Sequence, residues 1–474
     1  MDIKLQNTLT NQKEKFSPIS DGKVLMYHCG PTVYDRQHIG NLSMFVFTDV
    51  LRRTLEYFKY DVKQVINITD FGHLSGDNVG DADTGEDKMT KGLRAEGLEL
   101  SMENMKVLAT KYAGMFKSDL KLLNIKEPTH FPFASDYVEA QKRLIEKLEE
   151  KGFAYQISDG VYFDTAKFPN YGKLGPHSAE ASRGENISRI GENSEKKSSK
   201  DFALWKFDSK LGWDSKWGRG FPGWHIECTA MIFELLGEQI DIHTGGIEHI
   251  GVHHNNEIAQ AEAASEKVPF SRFWLHREHI RMNDEKIAKS TGNVVYMDDL
   301  IAKGIHPLSY RYWLLTSRYN TPSNFTWEAV EAAQVALEKI VNMYTGIAIS
   351  EGVIFEKNTA KPSKETAIPA FEAAITDDLN TPIAISLLQS ATQEEIEKMD
   401  EILGLNIKEL SKQIQDIPSD IKDLQKERDE ARKNEDWKLS DDIRDQIEHK
   451  GFTVKDTGNS SLILRTLSSL YPKN

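Results

Sequence analysis

Cysteine is scarce in this 474-residue chain: it occurs twice, as Cys29 and Cys228. Two cysteines allow at most one disulfide, which excludes a disulfide-built scaffold. In a chain of this length they read as reduced thiols. Long apolar runs are missing too. No stretch of about 18 apolar residues occurs, which excludes a helical membrane span. Met1–Gln6 has no signal-peptide core, so a cytoplasmic location is expected. No internal repeat is visible. A basic excess is also lacking: 59 Lys and Arg stand against 73 Asp and Glu, for a net charge of −14. That argues against a polyanion held over the whole surface, yet it leaves one RNA-binding face possible. What is present, 39% hydrophobic and 28% charged residues, suits a globular protein, and the length implies two to four domains.

The chain is organised around Tyr27–Asn41. Val24, Leu25, Met26 and Tyr27 form an apolar run that reads as a buried strand over Lys23–Cys29, stopped by Gly30 and Pro31. Phe45, Val46, Val50, Leu51 and Leu55 recur at helical spacing, which predicts a helix after Asn41. Cys29 then lies at the carboxyl end of a strand, and His38-Ile39-Gly40-Asn41 at the mouth of a helix. In parallel α/β sheets ligands bind at that edge, and a helix N-terminus there suits phosphate.

Val62–Ile68 reads as a second strand ended by Thr69-Asp70, and Gln239–His243 as a third ended by Thr244-Gly245-Gly246. Between the first pair and the third lie a helical stretch over Lys88–Leu123, a helix capped by Ser135, and an irregular segment over Gly160–Asp201. The polar run Glu195–Lys200 reads as mobile. The acidic loop Ser75–Asp87 lacks the ligand spacing of a calcium loop and reads as a surface loop. A helix is predicted from His253 through Ala264. Beyond Leu300 the signals are helical: Thr326 caps a helix that Gly346 ends, Lys357–Lys364 is a linker, and Thr381-Pro382 opens another helix. A charged helix pair over Ile421–Lys450 leads to a hairpin of Phe452–Val454 and Leu462–Leu464.

Cys29, Cys228, His253 and Glu257 suggest a metal. His253 and Glu257, four apart, share a helix face, and two thiolates, an imidazole and a carboxylate suit zinc. His254 and Asn256 on the same helix are equally placed to be ligands, and two buried apolar cysteines beside a polar helix face is the plainer reading. Lys286-Ile287-Ala288-Lys289-Ser290 is a cationic loop that suits a triphosphate, although Lys88-Met89-Thr90-Lys91 shows how common the pattern is. Trp224 adjoins Cys228 and can wall a small pocket; Trp213 and Trp217 read as packing.

Together these pieces resemble the cysteinyl-tRNA synthetase family of class I aminoacyl-tRNA synthetases. The resemblance rests on Cys29–Asp35 followed by His38–Asn41, on Asn67–Asp70, Asp201–Lys206, Pro222–Cys228, His253–Gln260 and Lys286–Ser290, and on Asp377–Pro382. Trp437, in Glu435-Asp436-Trp437-Lys438, is similar to a recurrent piece of the family's last domain. The resemblance implies an α/β fold: a doubly wound, Rossmann-like catalytic domain at 1–115 and 201–300, a connective insertion at 116–200, a helical stem-contact region at 301–356, a helical tRNA-binding domain at 357–415 and an anticodon-recognition domain at 416–474. It implies one zinc on Cys29, Cys228, His253 and Glu257. Thr32, Thr69 and Trp224 would line the cysteine pocket. His38, Gly40 and Asn41 would contact ATP, Glu248 would lie near its ribose, and Lys286 and Lys289 would lie on its phosphates, with magnesium. The implied partners are cysteine, ATP and tRNA(Cys), no membrane, and a monomer.

The chain departs from the family pattern. The motif ending in His ends here in Asn41, which donates a hydrogen bond but carries no charge. The lysine loop reads Lys-Ile-Ala-Lys-Ser, Glu248 stands where Asp is usual, and the Asp70–Asp87 loop is longer. Two alternatives compete: a cysteine ligase to an amino sugar on the same core, and a catalytically silent zinc- and RNA-binding relative. The helical residues after Leu300 argue against the first, and only Asn41 and the Ile-Ala loop favour the second.

Overall fold

The structure is a computed structural model that describes residues 2–72, 87–175, 194–282, 285–286, 294–345, 347–350, 353–356, 366–457 and 460–471. The calls on Ser75–Glu86, Lys289, Gly346 and Lys357–Lys364 lie outside the described residues. A parallel sheet carries the site. Its strands are β1 (Lys23–His28), β2 (Asp61–Ile66), β3 (Ile240–Gly246) and β4 (Ser271–Arg277). The order is β4-β3-β1-β2, all parallel. Near-continuous burial along these strands fits a sheet covered on both faces. The order reverses between β1 and β3, and Cys29 follows β1 at that point, its N–H donating to the Thr244 carbonyl at 3.2 Å. A reversal of this kind opens a crevice at the carboxyl edge of the sheet.

Three helices build the site on that edge: α1 (Ile39–Tyr57), α2 (Trp224–Leu235) and α3 (His253–Ser265). A fourth, α4 (Pro307–Leu315), packs on α1. Ile39, Leu42 and Phe45 of α1 share one apolar cluster with Tyr310, Trp313, Leu337 and Ile402, so the C-terminal helices close over one face of α1. Between the halves of the sheet, Ala154–Ile157, Gly160–Phe163, Phe202–Phe207 and Gly220–Pro222 form an antiparallel sheet. No helix among the described residues is long and apolar enough to cross a membrane.

Several expectations shift. α1 begins at Ile39, not after Asn41, because the His38 ring caps it by accepting from Asn41 N–H at 3.3 Å. Lys88–Leu123 is two helices, Lys88–Ala95 and Met102–Leu122. Gly97 at φ 68° ends the first, and Ser101 caps the second. Ser135 caps nothing: its N–H and hydroxyl bond Asp70, and the helix Val138–Glu150 follows a short 3-10 turn. β3 runs on through Gly246. In Glu195–Lys200, Glu195 accepts the Ser158 N–H and the Lys197 N–H donates to the Tyr155 hydroxyl, each at 2.9 Å. Asn380, one residue early, is the N-cap position of Thr381–Ser386. Thr326 caps Trp327–Tyr344 as expected, and the charged pair becomes Ser419–Lys433 and Trp437–His449, ahead of the hairpin Phe452–Thr457 and Ser460–Arg465.

His306 caps α4 through Nδ1, which accepts from Leu308 N–H at 3.1 Å, and burial holds its pKa down to about 4. Unfolded, the ring titrates near 6.5, so below that pH protons favour the unfolded chain. The stability it contributes is full above about pH 6.5 and is lost toward pH 4, about 3 kcal/mol at most. His306→Asn keeps a capping acceptor without the titration. Its denaturant midpoint is expected to fall less than that of the parent chain across this window; parallel profiles would refute the assignment.

Candidate active site

Cys29 enters the crevice because Gly30 lets the chain turn tightly against the second strand's end. A Cβ on Gly30 would sit 1.5 Å from the Asn67 carbonyl oxygen, and the Gly30 N–H donates to Asn67 Oδ1 at 2.7 Å. Thr32 pairs with Thr69 just beyond. Thr69 is buried, and its hydroxyl donates to Glu227 Oε2 at 2.8 Å. Burial holds the Glu227 carboxyl well above the usual range, with the Cys228 sulfur adding to the rise. α2 delivers Cys228 one residue later, and the first two turns of α3 deliver His253 and Glu257.

Cys29, Cys228, His253 and Glu257 therefore converge. Their donor atoms lie within 4.8 Å of one another, and all four residues are buried. His253 Nε2 lies 3.6 Å from Cys228 Sγ and 2.9 Å from Glu257 Oε1; Cys29 Sγ lies 3.7 Å from the same oxygen. Burial pushes the Cys228 thiol up, but the hydrogen bonds from Cys29 and His253 bring it down to about 6. Burial and the Cys228 sulfur push Cys29 up. Of the two sulfurs, Cys228 is the one drawn toward the thiolate form. Burial opposes charging His253, but Glu257 and Cys228 raise it to about 10, while His243 and His253 hold Glu257 well below the carboxylate range. A site that gathers two sulfurs, an imidazole nitrogen and a carboxylate oxygen, and favours the anionic forms of Cys228 and Glu257, fits a soft-to-borderline divalent metal by donor type.

A second donor set overlaps the first: Cys29, His243, His254 and Glu257. His254, which the sequence left open as a ligand, places Nε2 3.3 Å from Cys29 Sγ. Its other nitrogen is committed to His276 at 2.7 Å, and His276 reaches the Thr8 hydroxyl at 2.8 Å. His243 Nε2 is bonded to Glu257 Oε2 at 2.8 Å, its ring stacked on Trp274 at 4.4 Å. His225 Nδ1 meets His253 Nδ1 at 2.9 Å. Sequence reasoning missed His243, His225, His276 and Trp274. Gly245 allows the crowding, since a Cβ there would lie 2.6 Å from His249 Nδ1 and 2.8 Å from His254 Cε1. Asn256, the other open candidate, accepts instead from the Tyr171 hydroxyl at 2.5 Å.

Trp224 stacks on His253 with centroids 4.6 Å apart, so it walls the cluster. Behind it lies a cavity of about 210 Å³ lined by Leu100, Met105, Phe207, Leu211 and Phe221. The nucleotide candidates sit on the neighbouring edge. Gly40 and Asn41 form the first turn of α1, but the Ile39 N–H is taken by the Val295 carbonyl at 2.9 Å and the Asn41 N–H by His38. Less of that helix end is open to phosphate than expected. Glu248 follows β3 in a short turn, 3.7 Å from His279 Nδ1. The Lys286 backbone lies on a short strand, Glu285–Lys286, paired antiparallel with Arg281–Met282; its side chain lies outside the described residues.

Residues 15–335 match the family of tRNA synthetases class I (C), catalytic domain. The chain is 39% identical to Cysteine--tRNA ligase 1 of Burkholderia lata, covering 96% of both chains, and 39% identical to Cysteine--tRNA ligase of Treponema denticola, covering 96% of this chain and 98% of that one. It is 37% identical to Cysteine--tRNA ligase of Caldicellulosiruptor saccharolyticus, covering 98% and 100%. Among solved structures it resembles methionyl-tRNA synthetase of Mycobacterium tuberculosis bound by methionyl-adenylate. The TM-score is 0.54 at 13% identity, over 81% of this chain and 88% of that one, a likeness of fold.

Proposed function

The chain belongs to the cysteine–tRNA ligases among the class I tRNA synthetases, and from that premise we infer that it activates cysteine with ATP and loads it onto tRNA(Cys). In the first step the cysteine carboxylate attacks the α-phosphorus of ATP and pyrophosphate leaves. In the second, a ribose hydroxyl of the terminal adenosine of the tRNA attacks the activated carbonyl, and AMP leaves. Such chemistry needs positioning and charge neutralisation more than a protein base. On this reading His38, Gly40 and Asn41 hold the nucleotide, Glu248 its ribose, and Lys286 and Lys289 the phosphates with magnesium. Thr32, Thr69 and Trp224 bound the cysteine pocket.

The observation that carries the substrate is the buried group of two thiols, an imidazole and a carboxylate at the strand-order reversal. Cys29, Cys228, His253 and Glu257 would hold one zinc ion, whose preference for thiolate over hydroxyl supplies the selection of cysteine against serine. Shape alone discriminates one small group by roughly 10–200-fold. The protein's own part is to keep Cys228 ionised and to close the pocket with Trp224.

Loading requires a grip on RNA, which we place on the helices after residue 300. Arg428, Arg432 and Arg444 converge on the single carboxylate of Asp456, and Trp437 is exposed beside Arg432. Three guanidiniums on one carboxylate leave positive charge beside a stacking surface, which suits a single-stranded loop of RNA. The donor set is complete within one chain, which suits a monomer.

Cysteine-dependent ATP–pyrophosphate exchange, with serine in parallel and metal measured on the same sample, tests the reading. Exchange with cysteine, none above background with serine and about one zinc per chain is expected. No exchange in a folded, zinc-loaded sample would overturn it and favour the silent alternative.

A further inference from the structure

Arg277 is the last residue of β4, at the carboxyl edge of the sheet, and it is 4% exposed. Its Nε donates to the Ser43 hydroxyl at 2.9 Å, and that hydroxyl donates to the Gly40 carbonyl at 2.7 Å. One hydroxyl thus separates the guanidinium from the first turn of α1. Among the described residues no carboxylate lies within ion-pair distance of it. The adjacent Glu278 turns its carboxylate to the His279 N–H at 2.8 Å, and Tyr310, also facing the guanidinium, donates its hydroxyl to the Ile39 carbonyl at 2.8 Å.

Glu278 acts on the guanidinium only at longer range, a buried cation without a directly paired carboxylate is costly, and its placement adds to that cost. The N-terminal end of a helix carries positive potential, which disfavours a neighbouring guanidinium. Two positive features, one fixed charge and one helix end, face the same edge without an anion between them. Each lacks what a phosphate supplies. The same turn ends in Asn41, which has no charge to offer.

We propose that Arg277 is a cation of the nucleotide site, holding the phosphates of ATP from the β4 edge and supplying the charge that Asn41 lacks. The proposal rests on the reading that the α1 turn binds ATP. Arginine stays charged across the working pH range, so this charge is permanent.

The test is the ATP and cysteine KM in pyrophosphate exchange, with equilibrium binding of a non-hydrolysable ATP analogue and thermal melts of every variant. Arg277→Gln is expected to raise the ATP KM about ten- to a hundredfold, the range for a lost charge-assisted bond, with the cysteine KM within about twofold of the parent. Arg277→Lys keeps the charge but not the Nε bond to Ser43, and is expected to retain most ATP affinity. Ser43→Ala removes the tie but not the charge, and is expected to leave the ATP KM within about threefold. Adding Asn41→His to Arg277→Gln is expected to recover part of the loss. If the Gln variant does not fold, the Lys and Ser43→Ala variants decide alone. An unmoved ATP KM in Arg277→Gln, an equal rise in the cysteine KM, or Ser43→Ala reproducing the full loss would overturn the proposal. A parent protein without cysteine-dependent exchange would instead overturn the functional reading.

Discussion

Cys228→Ser is expected to remove the bound metal and to lower cysteine-dependent exchange by at least about a hundredfold, with the ATP KM unchanged. Partners one layer outside a metal ligand already cost 10–100-fold when removed, and Cys228 is a donor of the proposed site itself. It is also the thiol brought down to about 6, so it is the sulfur most ready to bind without releasing a proton. The overlapping donor set makes the experiment decisive. If the metal sat on Cys29, His243, His254 and Glu257, loss of Cys228 would leave all four donors in place, and the metal would stay. His254→Gln is the mirror test: on the first set the metal survives, because His254 supplies no donor to it. Full metal content with an unmoved cysteine KM in Cys228→Ser would remove the first set from consideration.

Part of this site was legible in the sequence because its signals are local. A four-residue spacing placed His253 and Glu257 on one face of α3, and an apolar run followed by Gly30-Pro31 placed Cys29 at a strand end. The histidines around them were not legible. His243 lies on β3, His276 on β4 and His225 on α2, and their meeting depends on the strand order β4-β3-β1, which no spacing encodes. Ile39–Asn41 were left ahead of the helix because the apolar period of α1 begins deeper in it, whereas its start is set by the His38 side-chain cap. The C-terminal arginines escaped for another reason. Ile421–Lys450 holds eight Lys and Arg against ten Asp and Glu, and a tally of charge is blind to convergence of three arginines on Asp456 from the hairpin that follows. Arg277 drew no reading, since neither its strand Ser271–Arg277 nor the absence of a directly paired carboxylate is signalled in the sequence.

The largest stability effect is expected at Asp49. This α1 carboxylate is buried, as are both of its partners: Arg311 Nη2 lies at 2.6 Å and Arg53 Nε at 2.7 Å from Oδ2. Oδ1 accepts the Lys126 N–H at 2.9 Å. Burial alone would raise its pKa, but the two arginines and this backbone bond hold it below the usual value. Around it the guanidiniums tie separate parts of the chain to α1. Arg311 donates to the carbonyls of Leu403 and Leu123, and Arg53 to those of Glu401 and Asn124. Asp49→Ala leaves two guanidiniums buried against each other, and removing one side of a buried pair costs about 3–5 kcal/mol. Arg311→Met is expected to cost less than Asp49→Ala, because Arg53 still neutralises Asp49. The double variant is expected to be less destabilised than the sum of the singles, since it leaves one buried charge uncompensated, not two. Denaturant unfolding of the four proteins, followed by a probe on the α1–α4 face, measures the coupling. Additive losses would mean that the ion pair contributes only as packing. A positive coupling would mean that the helix carrying the nucleotide turn is held by charge to the C-terminal helices.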